Sequence, residues 1–324
     1  MTVRRVGRSR AALVAAAALA VGAAAPAAAS ACLEVGVYRD APAQTIDALT
    51  RKVGPGVSVL STYVTVGRPI DPALLKLARG RRLRVLVSWM PDAGRDNPNQ
   101  PGYSLAAVAS GRFDRQLRTL ARQIKRSGVS VVFRPMPEPN TPWYAWSGTV
   151  NGNAPERYVA AWRHVHAVVK PAAGRRIRFL WSPYARSVPE TEANAISRYW
   201  PGPDVVDLEG VSGYNFGAQG GLSWVEPKLL FQDAYAEIQA LAPKPFWIAE
   251  TGSTALGGSR AAWLRSLATL GATMPKLRGV VLYDVKERTG DFRVSTSRAS
   301  AGAVRAVLAR RCTTGAPARG RPRR

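Results

Sequence analysis

The sequence predicts a single (β/α)8 barrel. Eight strand-like apolar runs alternate with helical patterns. The connections entering the strands are short and glycine-rich, as in Gly54-Pro55-Gly56 and Arg126-Ser127-Gly128. Those leaving the strands are long and rich in Trp, Tyr, Asn and Gly. The chain has 324 residues, 46% hydrophobic and 21% charged, which is globular composition. One α/β barrel accommodates that length, and no second domain is indicated.

Residues 1–31 read as a secretory signal peptide: Met1–Arg10 is basic, Ala11–Ala29 is apolar, and Ala29-Ser30-Ala31 is an A-x-A cleavage site. Residues 32–312 form the predicted barrel domain. Its strands are expected at Leu33–Tyr38, Val57–Thr65, Leu83–Trp89, Val129–Arg134, Ile177–Ser182, Val205–Ser212, Phe246–Glu250 and Val280–Asp284. Several are near-continuous apolar stretches, as strands covered on both faces require. Asp71-Pro72 supplies a helix cap followed by a proline suited to the first turn. Phe113, Leu117, Leu120 and Ile124 form one helical stripe, and Tyr158, Trp162, Val165 and Val169 another. Residues 313–324 are Gly/Pro/Arg-rich and read as a disordered basic tail.

Lys plus Arg exceeds Asp plus Glu by 25. Arg4, Arg5, Arg8 and Arg10 lie in the leader and Arg319, Arg321, Arg323 and Arg324 in the tail. The barrel therefore keeps +17. Its arginines are scattered, with no basic helix, so no specific nucleic-acid partner is expected. Loose adhesion to an acidic cell wall remains compatible with the charge. Two cysteines exclude a disulfide-built mini-protein and a four-cysteine zinc site. A barrel brings its first strand beside its last helix, so Cys32 and Cys312 are expected to form a disulfide in an exported protein. Acylation of Cys32 is the alternative, which Ala29, a small residue three positions before it, disfavours. Two histidines, His164 and His166, share one predicted helix and leave little room for a Ser-His-Asp triad. No P-loop or dinucleotide fingerprint occurs. Asp92, Asp96, Asn97 and Asn99 lack the pattern of a calcium loop and read as turn residues. No metal or organic cofactor is expected.

Glu138 follows the fourth strand and Glu250 ends the seventh. A carboxylate at the end of an apolar barrel strand is costly unless partnered, and a salt bridge to an arginine would explain either one alone. Two of them across a barrel mouth suit glycoside hydrolysis. One carboxyl protonates the leaving oxygen and the other attacks the sugar carbon, with about 5–5.5 Å between them where configuration is retained. Aromatic residues surround these positions: Trp89, Trp143, Tyr144, Trp146, Trp181 and Tyr214. Flat rings suit sugar faces, and Asn140 and Asn215 suit hydroxyls. Arg134 and Asp284 complete the expected substrate contacts, although Lys286 or Arg288 could instead pair with Asp284. Glu209, within the sixth strand, reads as a buried, paired group.

In order and spacing, Arg134-Pro135-Met136-Pro137-Glu138-Pro139-Asn140, Trp143-Tyr144-Ala145-Trp146, Trp181-Ser182-Pro183, Gly213-Tyr214-Asn215 and Lys244-Pro245 through Glu250-Thr251-Gly252 resemble glycoside hydrolase family 26, best known for β-mannanases. The resemblance runs from Val35-Gly36-Val37-Tyr38 to Asp291-Phe292-Arg293-Val294. It implies a (β/α)8 fold and a retaining mechanism, with Glu138 as acid/base, Glu250 as nucleophile and Tyr214 orienting the nucleophile. It further implies an enzyme acting on β-mannan or a related β-linked polysaccharide, which the leader makes a secreted one; a monomer is expected. The chain departs from the family at Pro137, where a histidine is usual. Proline brings no side-chain donor and no N–H. A catalytically weakened carbohydrate-binding or wall-associated barrel is the alternative reading.

Overall fold

The computed structural model describes residues 32–94 and 97–311. The leader, the tail, Asp96 and Cys312 lie outside the described residues. Eight strands close into a parallel barrel in sequence order: β1 (Glu34–Tyr38), β2 (Val59–Thr65), β3 (Arg84–Met90), β4 (Val131–Pro135), β5 (Ile177–Trp181), β6 (Leu208–Asn215), β7 (Phe246–Ser253) and β8 (Leu277–Tyr283). β8 pairs with β1 over five residues, which closes the ring. The helices are α1 (Pro42–Val53), α2 (Pro72–Arg81), α3 (Leu105–Ala109), α4 (Asp114–Ser127), α5 (Pro155–Ala173), α6 (Pro227–Leu241), α7 (Arg260–Leu267) and α8 (Arg298–Leu308). The (β/α)8 architecture predicted from the alternation is the one observed.

The helices form for the expected reasons. The Asp71 carboxylate accepts from the Ala73 N–H at 2.8 Å and caps α2, with Pro72 at its first position; such a cap is worth about 1 kcal/mol. Leu117, Leu120 and Ile124 are buried on α4, while Phe113 is buried just before it as the capping residue. Tyr158, Trp162, Val165 and Val169 bury the predicted stripe of α5. His166, on the same helix, packs its ring 4.7 Å from Phe179. His164 does not stand free in solvent: its Nε2 lies 2.7 Å from Asp114 Oδ1 on α4. No described helix is long and apolar enough to cross a membrane.

The core has two layers. Val59, Leu86, Val132, Leu180, Leu208, Trp247, Ala249 and Val281 fill the barrel interior. A larger cluster, including Val85, Val131, Phe133, Phe179 and Ile248, packs between sheet and helices. Side chains alternate along each strand, so these two sets interleave. Trp247 stands beside Gly279 in the β7–β8 ladder. A Cβ at Gly279 would overlap the indole of Trp247, so the glycine is the space into which that ring packs.

Several boundaries differ from expectation. β6 and β7 run on to Asn215 and Ser253, past the predicted ends at Ser212 and Glu250. Thr251 Oγ1 donates to the Gly213 carbonyl at 2.7 Å and Asn215 Nδ2 donates to Ser253 Oγ at 2.9 Å. These bonds carry the two strands through polar residues that read as loop. A small hairpin, β9 (Lys286–Glu287) with β10 (Gly290–Asp291), follows β8 and was not anticipated. Glu209 is buried on β6, where Gln239 Nε2 on α6 donates to it at 2.6 Å, and burial pushes its carboxyl up to about 7.

Because the Trp247 ring occupies the space beside Gly279, Gly279→Ala is expected to destabilise the barrel by about 1–3 kcal/mol through overpacking. Trp247→Leu in the same chain should recover part of the loss. Thermal unfolding of the single and double variants checks this, and an additive double variant would contradict it.

Candidate active site

The site lies at the C-terminal ends of β4, β6 and β7 and is organised around Arg134. This residue is 1% exposed and points from β4 into the barrel mouth. Its Nη1 donates to Glu250 Oε2 at 2.8 Å and its Nη2 to Glu138 Oε1 at 3.4 Å. Nη2 also donates to the Ser212 hydroxyl, and Nη1 reaches Ser88 Oγ at 3.4 Å. Both carboxylates are buried, so the two glutamates singled out in the sequence converge on one guanidinium.

Glu250 arrives there through an irregularity. In the β6–β7 ladder Val211 pairs with Ile248, and Ser212 pairs with Glu250. Ala249 is the extra residue, and the β7–β8 ladder shows the same slip. Trp247 and Ala249 point into the barrel; strict alternation would send Thr251 inward next. The bulge re-aims the strand so that Glu250 reaches the mouth. The Tyr214 hydroxyl donates to Glu250 Oε1. Burial and the Glu250 charge hold both Tyr214 and Tyr63 far above the usual phenol range, so both remain neutral donors.

Glu138 is positioned by a strained loop. Met136 and Glu138 have φ of 49° and 56°, a left-handed conformation unusual for residues with side chains. Each such residue costs on the order of 1–3 kcal/mol unless its surroundings determine it. Here they do. Met136 N–H donates to the Trp89 carbonyl at 2.9 Å and Glu138 N–H to the Ser182 carbonyl at 2.9 Å. Tyr158 donates to the Met136 carbonyl at 3.1 Å and Trp146 Nε1 to the Pro137 carbonyl at 2.8 Å. Thr141 Oγ1 donates to the Glu138 carbonyl at 2.9 Å. The Tyr144 hydroxyl lies 3.4 Å from Glu138 Oε2.

Burial, then the Glu250 charge, push the Glu138 carboxyl up to about 7; Arg134, Ser212 and Tyr144 act in the opposite direction. One guanidinium cannot neutralise two buried carboxylates, so the arrangement favours Glu138 protonated beside ionised Glu250. A buried acid and a carboxylate base thus share one mouth, and the pair can donate a proton at one atom while offering a nucleophile at another.

An open groove of about 860 Å³, lined by Trp143, Tyr184, Tyr214, Phe216, Leu222 and Leu229, meets the site at Tyr214 and is not lined by either glutamate. Trp143 is 44% exposed and meets Tyr184 edge-on at 4.9 Å. It is the residue among the expected substrate contacts that presents an aromatic face to solvent.

The other expected contacts are corrected by their surroundings. Trp89, Trp146 and Trp181 are fully buried: Trp146 stacks on Tyr144 at 4.5 Å and Trp181 packs against Trp200 at 4.9 Å. Asn140 is buried and ties Tyr184 N–H and carbonyl to its own amide at 2.8 and 3.0 Å. Asn215 is buried and accepts from Gly217 and Val225 N–H groups at 3.1 and 3.0 Å. Arg134 places its Nη donors on the two carboxylates, Ser88 and Ser212, while its buried Nε has no hydrogen-bond partner among the described residues. Asp284 pairs with Arg39, not with Lys286 or Arg288, and accepts from Val294 N–H at 2.7 Å. It borders a smaller cavity of about 390 Å³ with Arg39 and Arg293.

Sequence reasoning missed Tyr63, Ser88 and Ser212. Period-two alternation, continued past the apolar interior residues Val59, Leu86 and Leu208, would have found them: each lies an even number of residues further along its strand. Among the described residues no group of three or more His, Cys, Asp or Glu is placed to hold a metal ion.

Glycosyl hydrolase family 26 matches residues 99–226, a stretch that holds Arg134, Glu138, Trp143 and Tyr214. That stretch is the part of the chain similar to the family. Endoglucanase H from Acetivibrio thermocellus is 27% identical over 215 residues, which is 64% of this chain. The match spans 23% of that longer relative. A family 26 β-mannanase from Bacteroides ovatus superposes with a TM-score of 0.63 at 18% identity, covering 86% of this chain and 89% of that one. An endo-β-1,4-mannanase double mutant from Cellulomonas fimi gives 0.62 at 15% identity, covering 86% and 70%. At these identities the structural likeness is one of fold. The resemblance read from the motifs is thus upheld by the family match and the relative.

Removing the central guanidinium leaves two buried carboxylates unpaired. Arg134→Ala is expected to destabilise by about 3–5 kcal/mol, as for a broken buried ion pair. Glu250→Gln in that background should restore part of the loss. Denaturant unfolding checks both, and a near-neutral Arg134→Ala would contradict the clamp.

Proposed function

We propose that the protein is a secreted, retaining, endo-acting glycoside hydrolase of β-linked polysaccharide, of the mannan or glucan type. Glu250 is the nucleophile, Glu138 the acid/base and Tyr214 the residue that orients Glu250. The observation that carries this reading is the convergence of Glu138 and Glu250 on Arg134, with Glu138 pushed up to about 7.

Glu250, fixed through Oε2 by Arg134 and through Oε1 by Tyr214, attacks the anomeric carbon. Glu138 gives its proton to the departing glycosidic oxygen. Once Glu250 is esterified, its charge is gone while Arg134 remains. The influence that raised Glu138 is thereby removed and the one that lowers it persists. Glu138 is then suited to ionise and take a proton from the water that releases the sugar. The open groove with Trp143 on its wall supports a polymer lying across the mouth. The mannanase and endoglucanase names of the relatives support the substrate class.

Secretion rests on the basic–apolar–A-x-A leader. The Cys32–Cys312 disulfide is part of the same proposal. Leu33 N–H donates to the Arg310 carbonyl at 2.8 Å, and Leu33 bridges to Arg311, so the residues flanking both cysteines run side by side.

The test is reducing-sugar release by the mature protein on β-mannans, xylans and mixed-linkage glucans. Glu250→Ala is expected to lower turnover by about 10⁴-fold or more on any substrate that is cleaved, with an unchanged fold by circular dichroism. Wild-type activity in Glu250→Ala, or no cleavage of any β-glycan, would sink the proposal. On a cleaved substrate kcat/KM should fall as pH rises through about 7, where Glu138 loses its proton. A plateau extending well above that pH would remove Glu138 from the acid role.

A further inference from the structure

The acid/base glutamate has two oxygens in different surroundings, and the difference has a chemical consequence. Oε1 faces Arg134 Nη2 at 3.4 Å, and Oε2 faces the Tyr144 hydroxyl at 3.4 Å. A guanidinium donates and never accepts. The oxygen turned to Arg134 is therefore an acceptor in every protonation state. A hydroxyl both donates and accepts, so the oxygen beside Tyr144 is free to carry the proton. Glu138 has no help from its neighbour in sequence: Pro137 has no N–H and no polar side chain, and its carbonyl is taken by Trp146 at 2.8 Å.

Tyr144 is itself held for this task. Its ring stacks on Trp146 at 4.5 Å with planes 3° apart. Trp146 is anchored through its indole N–H to the Pro137 carbonyl, one residue from Glu138. Tyr144 N–H donates to Ser147 Oγ at 3.1 Å, and Ser147 N–H returns to the Tyr144 carbonyl at 3.0 Å. The phenol and the carboxyl it faces thus belong to one short segment, tied together by Trp146 and fixed to the barrel through the Glu138 N–H, which donates to the Ser182 carbonyl at 2.9 Å. Both contacts to Glu138 are long, the spacing usual for catalytic hydrogen bonds that tighten around bound substrate.

We propose that Tyr144 is a positioning residue that holds the Glu138 carboxyl by Oε2 and makes Oε2 the atom that delivers the proton to the leaving oxygen. This rests on the acid/base reading of Glu138. The proton passes from Oε2 to the glycosidic oxygen as its bond to the anomeric carbon breaks. The resulting carboxylate is bound by Tyr144 on one oxygen and by Arg134 on the other. Tyr144 stabilises that ionised form, and without it Glu138 would release its proton less readily.

The test is Tyr144→Phe, which keeps the stack on Trp146 and removes only the hydroxyl. Two substrates are compared through kcat/KM: the polysaccharide the enzyme cleaves, and the matching 2,4-dinitrophenyl oligosaccharide, whose leaving group departs without a proton. The expected result is a loss of about 10-fold or more on the polysaccharide, little change on the activated substrate, and a basic limb moved upward by about 0.5–1 pH unit. Equal losses on both substrates, or an unchanged pH limb, would overturn the proposal, since a merely structural role gives those outcomes. Glu138→Ala on the same pair separates the two levels. If it shows no dependence on leaving group, the acid/base reading itself fails. If it shows that dependence and Tyr144→Phe does not, only the role of Tyr144 fails.

Discussion

Everything at the mouth of this barrel depends on one buried cation facing two carboxylates. Arg134 costs desolvation energy, and so do Glu138 and Glu250. The three are tolerable together only if the charges nearly cancel, which a single guanidinium and two carboxylates do not achieve until one carboxylate takes a proton. Glu138 is the one that gives way, for it is pushed up to about 7. The asymmetry of contact supports the same division. Glu250 holds the shorter Arg134 bond, 2.8 against 3.4 Å, and the Tyr214 hydroxyl as well. An imbalance of charge thus becomes a division of labour between two chemically identical side chains.

The second constraint is conformational. Pro135, Pro137 and Pro139 alternate with Met136 and Glu138, and both non-proline residues are left-handed. Prolines restrict the chain before folding, which lowers the entropy lost when the loop is fixed. The positive φ values remain unfavourable and are held by hydrogen bonds with three other segments, at Trp89 on β3, Tyr158 on α5 and Ser182 after β5, and with Trp146 in the same loop. The buried tryptophans that the sequence suggested as sugar platforms are in part the scaffold of this loop. Their polar N–H and carbonyl groups matter more here than their faces.

The fold was legible because its signals are long and repeated. Eight apolar runs with helices between them admit few architectures, and stripes such as Tyr158–Val169 identify core faces directly. Glu138, Glu250 and Tyr214 were legible from their places at strand ends and from family likeness. What could not be read depended on register. The bulge at Ala249 shifts the facing of everything beyond it by one residue, and no residue type in Ile248-Ala249-Glu250-Thr251 announces it. Exposure was equally hidden. Trp143 and Trp146 sit three residues apart in the same polar loop, yet one lies open on the groove and the other is sealed under Tyr144. Asn140 and Asn215 looked like sugar ligands because free amides suit hydroxyls. Both amides are consumed by loop backbone and serine hydroxyls, a use that depends on distant segments such as Tyr184, Val225 and Ser253.

The large positive charge and the candidate site are separate features of the molecule. The chain carries +25 overall, yet the groove that reaches Tyr214 is bordered by Glu190, Glu192, Asp233 and Glu237 against Arg186 alone. Arg186 is already within 3.8 Å of Glu190. An anionic polymer drawn to the basic exterior therefore meets like charge when it turns into the groove, an opposition that salt screens because these side chains are largely exposed. A neutral glycan meets no such opposition, because its hydroxyls accept and donate without net charge and its ring faces suit Trp143 and Tyr184. The surplus of positive charge over the whole chain is thus not shared by the groove, whose own charged lining is mostly acidic and opposes an anionic chain more than an uncharged one.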